Sequence, residues 1–227
     1  MKSTDINLKE IETQLSCPNG ASGIKIGENM NESNIGMTLA SINILNITKK
    51  DSLLEIGHGN CGHLNELFKI TNDISYTGLE ISETMKKEAQ KINKKIIANT
   101  RTEFHLYDGI TIPFPKNSFS KIFTVNTLYF WNNPTSFLAE IYHVLKPSGT
   151  FVLTFAQKEF MENLPFVKDK FKLYDIEEVK KLIKTSAFSI TSITTRTERI
   201  KSKAGNWVNR IFYLIKVTKN SFPNEEL

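Results

Sequence analysis

The chain has 227 residues, of which 40% are hydrophobic and 23% are charged, and its formal net charge is +5. These values are typical of one ordinary globular domain and exclude a disordered, fibrous or collagen-like chain. No apolar run is long enough to span a membrane, and the two cysteines have no redox or metal spacing, so we expect a cytoplasmic protein.

The first 48 residues are predicted to form a helical cap that belongs to the same domain as the rest of the chain. Hydrophobic spacing predicts helices over 5–16 and 33–47, and the glycine- and asparagine-containing segment 18–23 between them is predicted to be a loop. The residues before Gln14 are too polar for the apolar stretch of a signal peptide, so we expect no secretion signal.

After Asp51 the sequence alternates between strand-like and helix-like segments. Strands are predicted at 53–56, 76–79, 103–106, 121–125, 150–155, 189–195 and 211–217. Helices are predicted at 61–70, 83–97, 134–145 and 175–186. Strands that alternate with helices predict right-handed βαβ units and a largely parallel sheet, which is the α/β class.

The last two strands depart from this alternation, because residues 199–206 between them are too few for a crossover helix. A short connection predicts an antiparallel hairpin. We therefore predict a Rossmann-like, seven-stranded, mostly parallel sheet with helices on both faces and a C-terminal antiparallel hairpin. Residues 49–219 form the main domain in this prediction, and residues 220–227 form a short flexible tail.

A glycine-rich turn follows the first predicted strand, in the sequence Glu55-Ile56-Gly57-His58-Gly59-Asn60-Cys61-Gly62. Glycines let the backbone turn sharply and approach a ligand at the carboxyl end of a strand. Glu80 ends the next strand about twenty residues later, where a carboxylate can accept hydrogen bonds from ribose hydroxyls. Two acids at this place favour a positively charged nucleoside over a pyrophosphate, and S-adenosylmethionine (SAM) fits that description.

With these residues the chain resembles class I SAM-dependent methyltransferases over roughly residues 20–217. Within that class it is similar to the small-molecule branch related to ubiquinone/menaquinone-biosynthesis methyltransferases. The first motif of the family is an acid followed by Gly-x-Gly-x-Gly, and Gly57 and Gly59 match it. Cys61 stands where the third glycine is expected, and a cysteine is small and apolar enough for close helix–strand packing.

The resemblance implies methyl transfer from SAM to a small-molecule acceptor by in-line displacement, with S-adenosylhomocysteine as product and no metal. In the family, Ile81 would pack beside the adenine, Asp108 would face the adenine amino group, and Asn126 would touch the methionine part. An Asp-Gly pair after a strand is also a common turn, so Asp108 has a purely structural alternative. The implied cofactor-binding residues are Glu55, Gly57, His58, Gly59, Glu80, Ile81, Asp108, Gly109 and Asn126.

Three residues are candidates for binding the acceptor: Met30, Tyr129 and Trp131. Met30 could equally be ordinary helix packing, and the two aromatic residues could equally fill the core. The candidate catalytic groups are His58, Tyr129 and Trp131, and Lys158 is a further candidate base. None of them is assigned as a general base, because an activated methyl donor needs alignment and desolvation above all. His63 is interpreted as a helix residue.

Several other functions remain as alternatives. The first is a SAM-binding protein without transferase activity, and the second is a nicotinamide-dependent oxidoreductase with the same glycine turn. A nucleic-acid methyltransferase is the third, but the segment Asn126-Thr127-Leu128-Tyr129 lacks the two prolines of amino-methylating DNA enzymes. The positive charge has a simple explanation in scattered surface lysines, so we expect no nucleic-acid partner. The one concentrated basic group is near the predicted hairpin: Arg196, Arg199, Lys201, Lys203 and Arg210.

Overall fold

The computed structural model describes residues 8–201 and 207–220. The helices are α1 (Leu8–Ser16), α2 (Gly20–Leu45), α3 (Leu64–Phe68), α4 (Glu83–Ile92), α5 (Lys94–Asn99), α6 (Pro134–Val144), α7 (Lys158–Glu162) and α8 (Ile176–Lys184). The strands are β1 (Ser52–Ile56), β2 (Ser75–Glu80), β3 (Arg101–Leu106), β4 (Phe119–Val125), β5 (Leu145–Ala156), β6 (Phe188–Lys201) and β7 (Trp207–Lys219), and a 3-10 turn spans Leu128–Phe130. The predicted tail beyond Asn220 and Lys203 of the hairpin connection lie outside the described residues.

The seven strands form one sheet in the order β3-β2-β1-β4-β5-β7-β6. The first five strands of this order pair in parallel, and β7 pairs antiparallel with both β5 and β6. The predicted sheet and its terminal hairpin are therefore confirmed. The chain order reverses between β1 and β4, and such a switch point leaves a crevice at the carboxyl ends of the strands.

Helices cover both faces of the sheet because side chains along each strand alternate between two apolar clusters. Leu54 and Ile56 belong to the cluster that packs with α6 and α8. Leu53 belongs to the cluster that packs with α3 and α4. Helix α2 contributes to both, with Met37 in the first cluster and Leu45 in the second. In the described ranges, no helix is both long and apolar enough to cross a membrane.

The predicted loop over 18–23 is wrong, because α2 begins at Gly20 and runs without a break to Leu45. Its glycines serve close packing instead of ending the helix. A Cβ on Gly23 would come within 2.7 Å of the Pro18 carbonyl carbon, and one on Gly27 would come within 2.5 Å of Met85 Sδ. Glycine at these positions lets α2 pack closely against Pro18 and Met85, and this packing outweighs the low helix propensity of glycine.

Two predicted helices differ from the prediction, one because it begins later and the other because it is divided, and both differences involve the glycine-rich turn. The helix predicted at 61–70 begins only at Leu64, because Cys61 has a φ of +50° and is still part of the turn. The helix predicted at 83–97 divides into α4 and α5 at Asn93. The Asn93 amide donates to the carbonyl oxygens of Cys61 and Ala89, both at 3.0 Å, and so joins this division to the turn.

Candidate functional site

A cavity of about 930 Å³ opens at the carboxyl ends of β1, β2 and β4, and α2 forms one of its walls. We call its two parts the glycine-turn end (Gly57, Gly59, Glu80, Ile81 and Gly109) and the aromatic end (Tyr129, Phe130, Trp131 and Phe171). Most of the predicted site residues line this cavity, namely Met30, Glu55, Gly57, His58, Gly59, Glu80, Ile81, Gly109, Asn126, Tyr129 and Trp131. Asp108 and Lys158 do not line it.

The turn after β1 needs its two glycines for conformation and for space. Gly57 has a φ of +75° and Gly59 a φ of +56°, which is the left-handed region that side chains disfavour. A Cβ on Gly57 would also overlap the Thr127 methyl group. The turn is held to the sheet by the Gly57 N–H, which donates to the Leu79 carbonyl at 2.8 Å. The backbone at the glycine-turn end is therefore bare and fixed.

Glu80 at the end of β2 is buried and is held by main-chain donors. Its carboxylate accepts hydrogen bonds from the N–H groups of Gly59 at 2.9 Å, Ile81 at 2.8 Å and Ser82 at 3.1 Å. Burial raises the pKa of Glu80, and these three donors partly offset the rise. An ionised carboxylate has about four acceptor sites, so one remains for a donor in the cavity. Glu80 thus also has a structural role, since it joins the glycine turn to the start of α4.

Glu55 is buried and carries a different set of partners from Glu80. Its Oε2 accepts from the Tyr76 hydroxyl in a short hydrogen bond and lies 2.9 Å from His63 Nε2. Burial by itself raises the pKa of Glu55, but His63 and Tyr76 more than offset this and hold the pKa below its usual value. Burial alone would lower the pKa of His63, yet the Glu55 carboxylate and Cys61 hold it well above its usual value. Glu55 and His63 therefore form a buried ion pair.

Cys61 completes this buried cluster, and its Sγ lies 3.2 Å from the Tyr76 hydroxyl and 4.0 Å from His63 Nε2. Ligand atoms of Glu55, Cys61 and His63 lie within 4.8 Å of one another, and sulfur, nitrogen and carboxylate oxygen are the ligand types that zinc takes. Here these groups are hydrogen-bonded to one another. Burial raises the pKa of the Cys61 thiol, so it is a packed thiol and not a nucleophile.

His58 lies inside the glycine turn, but its ring is buried and is not placed to transfer a proton. The centre of the ring lies 4.9 Å from that of Phe104 at an interplanar angle of 59°, and a Cβ added to Gly78 would meet the Cδ2 of His58. Both ring nitrogens are buried with no hydrogen-bond partner among the described residues. Burial lowers the pKa of His58 to about 4. His58 is therefore neutral, and its predicted catalytic role receives no support from this geometry.

Asp108 follows β3 and stabilises its own loop. Its Oδ1 accepts from the N–H groups of Ile110 at 2.8 Å and Thr111 at 2.7 Å. These donors lower the pKa of Asp108, whose side chain is exposed. Gly109, with a φ of +79°, does line the cavity. The turn explanation thus accounts for Asp108, and contact with an adenine stays a prediction.

Asn126 and Tyr129 meet where the two ends of the cavity join. Asn126 has a φ of +58° at the end of β4, and its Oδ1 lies 3.1 Å from the Tyr129 hydroxyl and 3.2 Å from the Ala156 nitrogen. The Tyr129 hydroxyl also accepts from the Ala156 N–H at 2.8 Å. Burial raises the pKa of Tyr129 well above its usual value. Tyr129 is therefore a fixed, neutral donor and acceptor and not a ready base.

The rest of the aromatic end is apolar. Phe130 and Phe171 lie 4.8 Å apart, and Tyr129 lies 5.9 Å from Phe171. Trp131 is 7% exposed, and its indole N–H donates to Thr127 Oγ1 at 3.2 Å. Further apolar surface comes from Phe160, Met161 and Leu164. This end suits an apolar molecule, because burying such surface is favourable and few polar atoms are left to desolvate.

Sequence reasoning missed an ion pair in the cavity wall, formed by Arg210 of β7 and Glu198 of β6. Arg210 is 5% exposed, and its Nε and one terminal nitrogen bond Glu198 Oε1 at 2.9 and 2.6 Å. The guanidinium also donates to the Ser33 carbonyl at 2.6 Å and to Asn34 Oδ1 at 3.1 Å. The same Asn34 oxygen accepts from the Asn126 amide at 3.1 Å. Glu198 and Arg210 are directly opposite each other in the hairpin, so a correct register for the predicted hairpin would have indicated this ion pair.

Comparisons with known proteins agree with this fold and crevice. Residues 54–153 match a family described as a methyltransferase domain. The uncharacterized methyltransferase YdaC of Bacillus subtilis (strain 168) is 31% identical over 120 residues, which are 52% of this chain and 64% of that protein. The 27-O-demethylrifamycin SV methyltransferase of Amycolatopsis mediterranei (strain S699) is 29% identical over 103 residues, 45% of this chain and 38% of that protein. The chain thus spans less than two thirds of these curated relatives.

Solved structures show the same fold. A SAM-dependent methyltransferase from Aquifex aeolicus is similar with a TM-score of 0.62 at 16% identity, over 94% of this chain and 99% of that chain. The two proteins therefore share their overall fold. The match over residues 54–153 agrees with the resemblance to methyltransferases that the glycine turn predicts.

Proposed function

We propose that this protein is a SAM-dependent methyltransferase that acts on a small, largely apolar acceptor in the cytoplasm and uses no metal. The observation that carries the proposal is one cavity with two chemically different ends that meet at Asn126 and Tyr129. A polar, glycine-lined end suits a nucleoside, and an aromatic end suits an apolar molecule. Two ligands that meet at one point are what a group transfer requires.

The glycine-turn end supports SAM as the ligand there. Glu80 keeps one acceptor site for a ribose hydroxyl, and Ile81 and Gly109 offer apolar and bare backbone surface for a flat base. Gly57 and Gly59 leave space for close approach because no Cβ stands at either position. These residues fit the cofactor, so we assign its binding to them. The contact between Glu80 and the ribose is tested by the substitution described below.

The aromatic end supports a small-molecule acceptor instead of a nucleic acid. Its lining is dominated by aromatic and aliphatic side chains, and the buried guanidinium of Arg210 is already paired with Glu198. Two lysines of α4 also form ordinary surface pairs, Lys87 with Glu83 and Lys91 with Glu88. The relative from Amycolatopsis mediterranei is named for a methyl transfer to a rifamycin, which supports a small molecule as the acceptor class.

The chain's residues contribute alignment and exclusion of water. When bound, SAM supplies a methyl group activated on a sulfonium. Asn126 and Tyr129 fix the boundary between the two ends, and aromatic ring faces near that boundary attract a sulfonium cation. Apolar walls exclude water, and holding two reactants in line can lower the barrier by several kcal/mol. His58 and Tyr129 are neutral and buried, so we propose a reaction without a dedicated general base.

A substitution at Glu80 tests the proposal at the cofactor. Glu80→Gln keeps the shape of the side chain but places an amide N–H₂ group against main-chain donors, so we expect S-adenosylhomocysteine to bind at least about 10-fold more weakly. We also expect a lower melting temperature, because Glu80 joins the turn to α4. Glu103→Gln, on the surface of β3, is the matched control and should leave both unchanged. Binding is measured by calorimetry, and wild-type affinity in Glu80→Gln would contradict the assignment.

A turnover assay separates transfer from simple binding. Labelled SAM is incubated with the wild-type protein and a panel of phenols, quinols and fatty acids, and both labelled product and S-adenosylhomocysteine are measured. Product above the level of a heat-denatured sample supports the proposed function. Binding of S-adenosylhomocysteine without any product favours a SAM-binding protein, and binding of NAD in place of SAM favours an oxidoreductase.

A further inference from the structure

A buried polar cluster next to the glycine turn contains Glu55, Cys61, His63 and Tyr76. The Nε2 atom of His63 faces two of these groups, Glu55 Oε2 at 2.9 Å and Cys61 Sγ at 4.0 Å. One imidazole nitrogen carries a single hydrogen, so it cannot donate to both groups at once. Hydrogen bonding therefore leaves the contact between Cys61 and His63 weak, although a sulfur, a nitrogen and an oxygen point towards one place.

The spacing of these three atoms fits a single zinc ion. Zinc bonds nitrogen and oxygen at about 2.0–2.2 Å and sulfur at about 2.3 Å, so tetrahedral ligand atoms lie about 3.4–3.6 Å apart. The two contacts of His63 Nε2, at 2.9 and 4.0 Å, differ from that spacing by only about half an ångström each. All three ligand atoms lie within 4.8 Å of one another. Small shifts of the side chains would therefore bring all three into bonding range of one ion.

The charges of the cluster also allow an ion at this place. The protonated His63 and the ionised Glu55 cancel, and the Cys61 thiol is neutral. Zinc binds a cysteine as the thiolate and a histidine as the neutral base, so two protons leave as one doubly charged ion enters. The total charge of the cluster stays at zero, and no net charge has to be buried.

The surroundings of the cluster supply an entrance and hold the ligands in place. Glu55 and His63 line the cavity, so an ion can reach them from it, and a water molecule there can take the fourth position. The Tyr76 hydroxyl donates to Glu55 Oε2, and the Asn93 amide donates to the Cys61 carbonyl at 3.0 Å. Such outer hydrogen bonds orient metal ligands and raise the affinity of a site for its ion.

We propose that Glu55, Cys61 and His63 bind one zinc ion. A thiolate and an imidazole favour zinc over magnesium and calcium, which take oxygen ligands. The proposed methyl transfer does not need this ion, and the inference does not rest on that function. The ion also gives Cys61 a role that glycine cannot fill, although glycine would suit the φ of +50° at this position better.

Zinc binding to two cysteine variants tests the proposal. The protein is freed of metal with EDTA, and Zn²⁺ is then titrated in competition with a chromophoric chelator. We expect wild type to bind one ion per chain. Cys61→Gly suits the local backbone and should bind zinc at least about 100-fold more weakly, because loss of even an outer partner costs a metal site about 10- to 100-fold. Cys17→Ser, which removes the exposed cysteine, is the matched control and should bind as wild type does.

A second arm does not depend on the folding of Cys61→Gly. Cobalt(II) replaces zinc as a spectroscopic probe, and its bond to a thiolate gives a charge-transfer absorption band. We expect this band in wild type and in Cys17→Ser. The proposal is wrong if wild type binds no zinc, if Cys61→Gly binds zinc as tightly as wild type, or if Cys17→Ser loses the band. Failure of wild type to bind S-adenosylhomocysteine would overturn the proposed function alone, so the two proposals fail separately.

Discussion

At the scale of single residues, His58 shows how a polar side chain in a glycine-rich turn can have a structural role. Its ring is packed between Phe104 and Gly78, and neither ring nitrogen has a hydrogen-bond partner among the residues described. A charged imidazole would be costly in this place, and burial accordingly lowers the pKa of His58 to about 4. The folded protein therefore holds His58 neutral at pH values where the unfolded chain protonates it.

This difference predicts a pH dependence of stability. The unfolded state takes up the proton near pH 6.5 and the folded state only near pH 4, so stability is lost as pH falls through this window, by up to about 3 kcal/mol. His58→Gln removes the titrating ring, and we expect a smaller loss of unfolding free energy between about pH 7 and about pH 4.5. Urea unfolding at both pH values measures it.

The exposed His143 on α6 offers the control for this experiment. His143→Gln should follow the wild type at both pH values. An unchanged pH dependence in His58→Gln would mean that His58 does not titrate differently in the folded and unfolded protein.

Some residues of the site could be predicted and others could not, for a local physical reason. Gly57, Gly59 and Glu80 follow from the spacing of a turn and the next strand end, which is short-range information. The pairing of Glu55 with His63 depends on Cys61, a non-glycine residue with a φ of +50° that extends the turn and places His63 before α3. A helix that began at Cys61, as the periodicity predicted, would have turned His63 elsewhere.

At the scale of elements, α2 was the part least accessible to sequence reasoning. Alternation of strands and helices predicted every strand of the sheet, because apolar periodicity reports directly on burial. The first half of α2 contains Gly20, Gly23 and Gly27, which are typical of loops. Gly23 and Gly27 are explained by the close approach of Pro18 and Met85, and such tertiary contacts leave no periodic signal in the sequence.

Gly23→Ala tests this explanation of α2, because it should lower the free energy of unfolding where an ordinary glycine-to-alanine change in a helix would raise it. In an exposed helix position, glycine to alanine stabilises by about 0.5–1 kcal/mol. Here the new Cβ would meet the backbone of Pro18, so we expect a loss of about 1–3 kcal/mol from overpacking. Ser22→Ala, at the exposed neighbouring position, should be neutral or slightly stabilising. Thermal unfolding compares the two, and a stabilising Gly23→Ala would show that the contact is not tight.

At the scale of the whole molecule, one hydrogen-bonded chain joins the hairpin, α2 and the parallel strands. It runs from Glu198 through Arg210 to Asn34, and from there to Asn126. Asn126 then bonds to Tyr129 and to the backbone of Ala156 in β5. The antiparallel hairpin is thus connected to the centre of the cavity, although it lies at the far edge of the sheet.

Arg210→Met should therefore loosen α2 as well as the hairpin. Loss of the guanidinium leaves Glu198 and the Ser33 carbonyl without their donor, so we expect a loss of about 1–3 kcal/mol and faster hydrogen exchange over residues 30–38. Lys180→Met removes an exposed pair with Glu177 and should cost no more than about 1 kcal/mol. Exchange confined to the hairpin would contradict the connection to α2.

The single amide oxygen of Asn34 accepts from both Arg210 and Asn126. One atom therefore serves the wall of the aromatic end and the junction with the glycine-turn end at once. Substitution of Arg210 would release one of the two donors to that oxygen, and the Asn126 amide would then be free to shift. Engineered variants that reshape the wall of the aromatic end should therefore also change ligand affinity at the glycine-turn end.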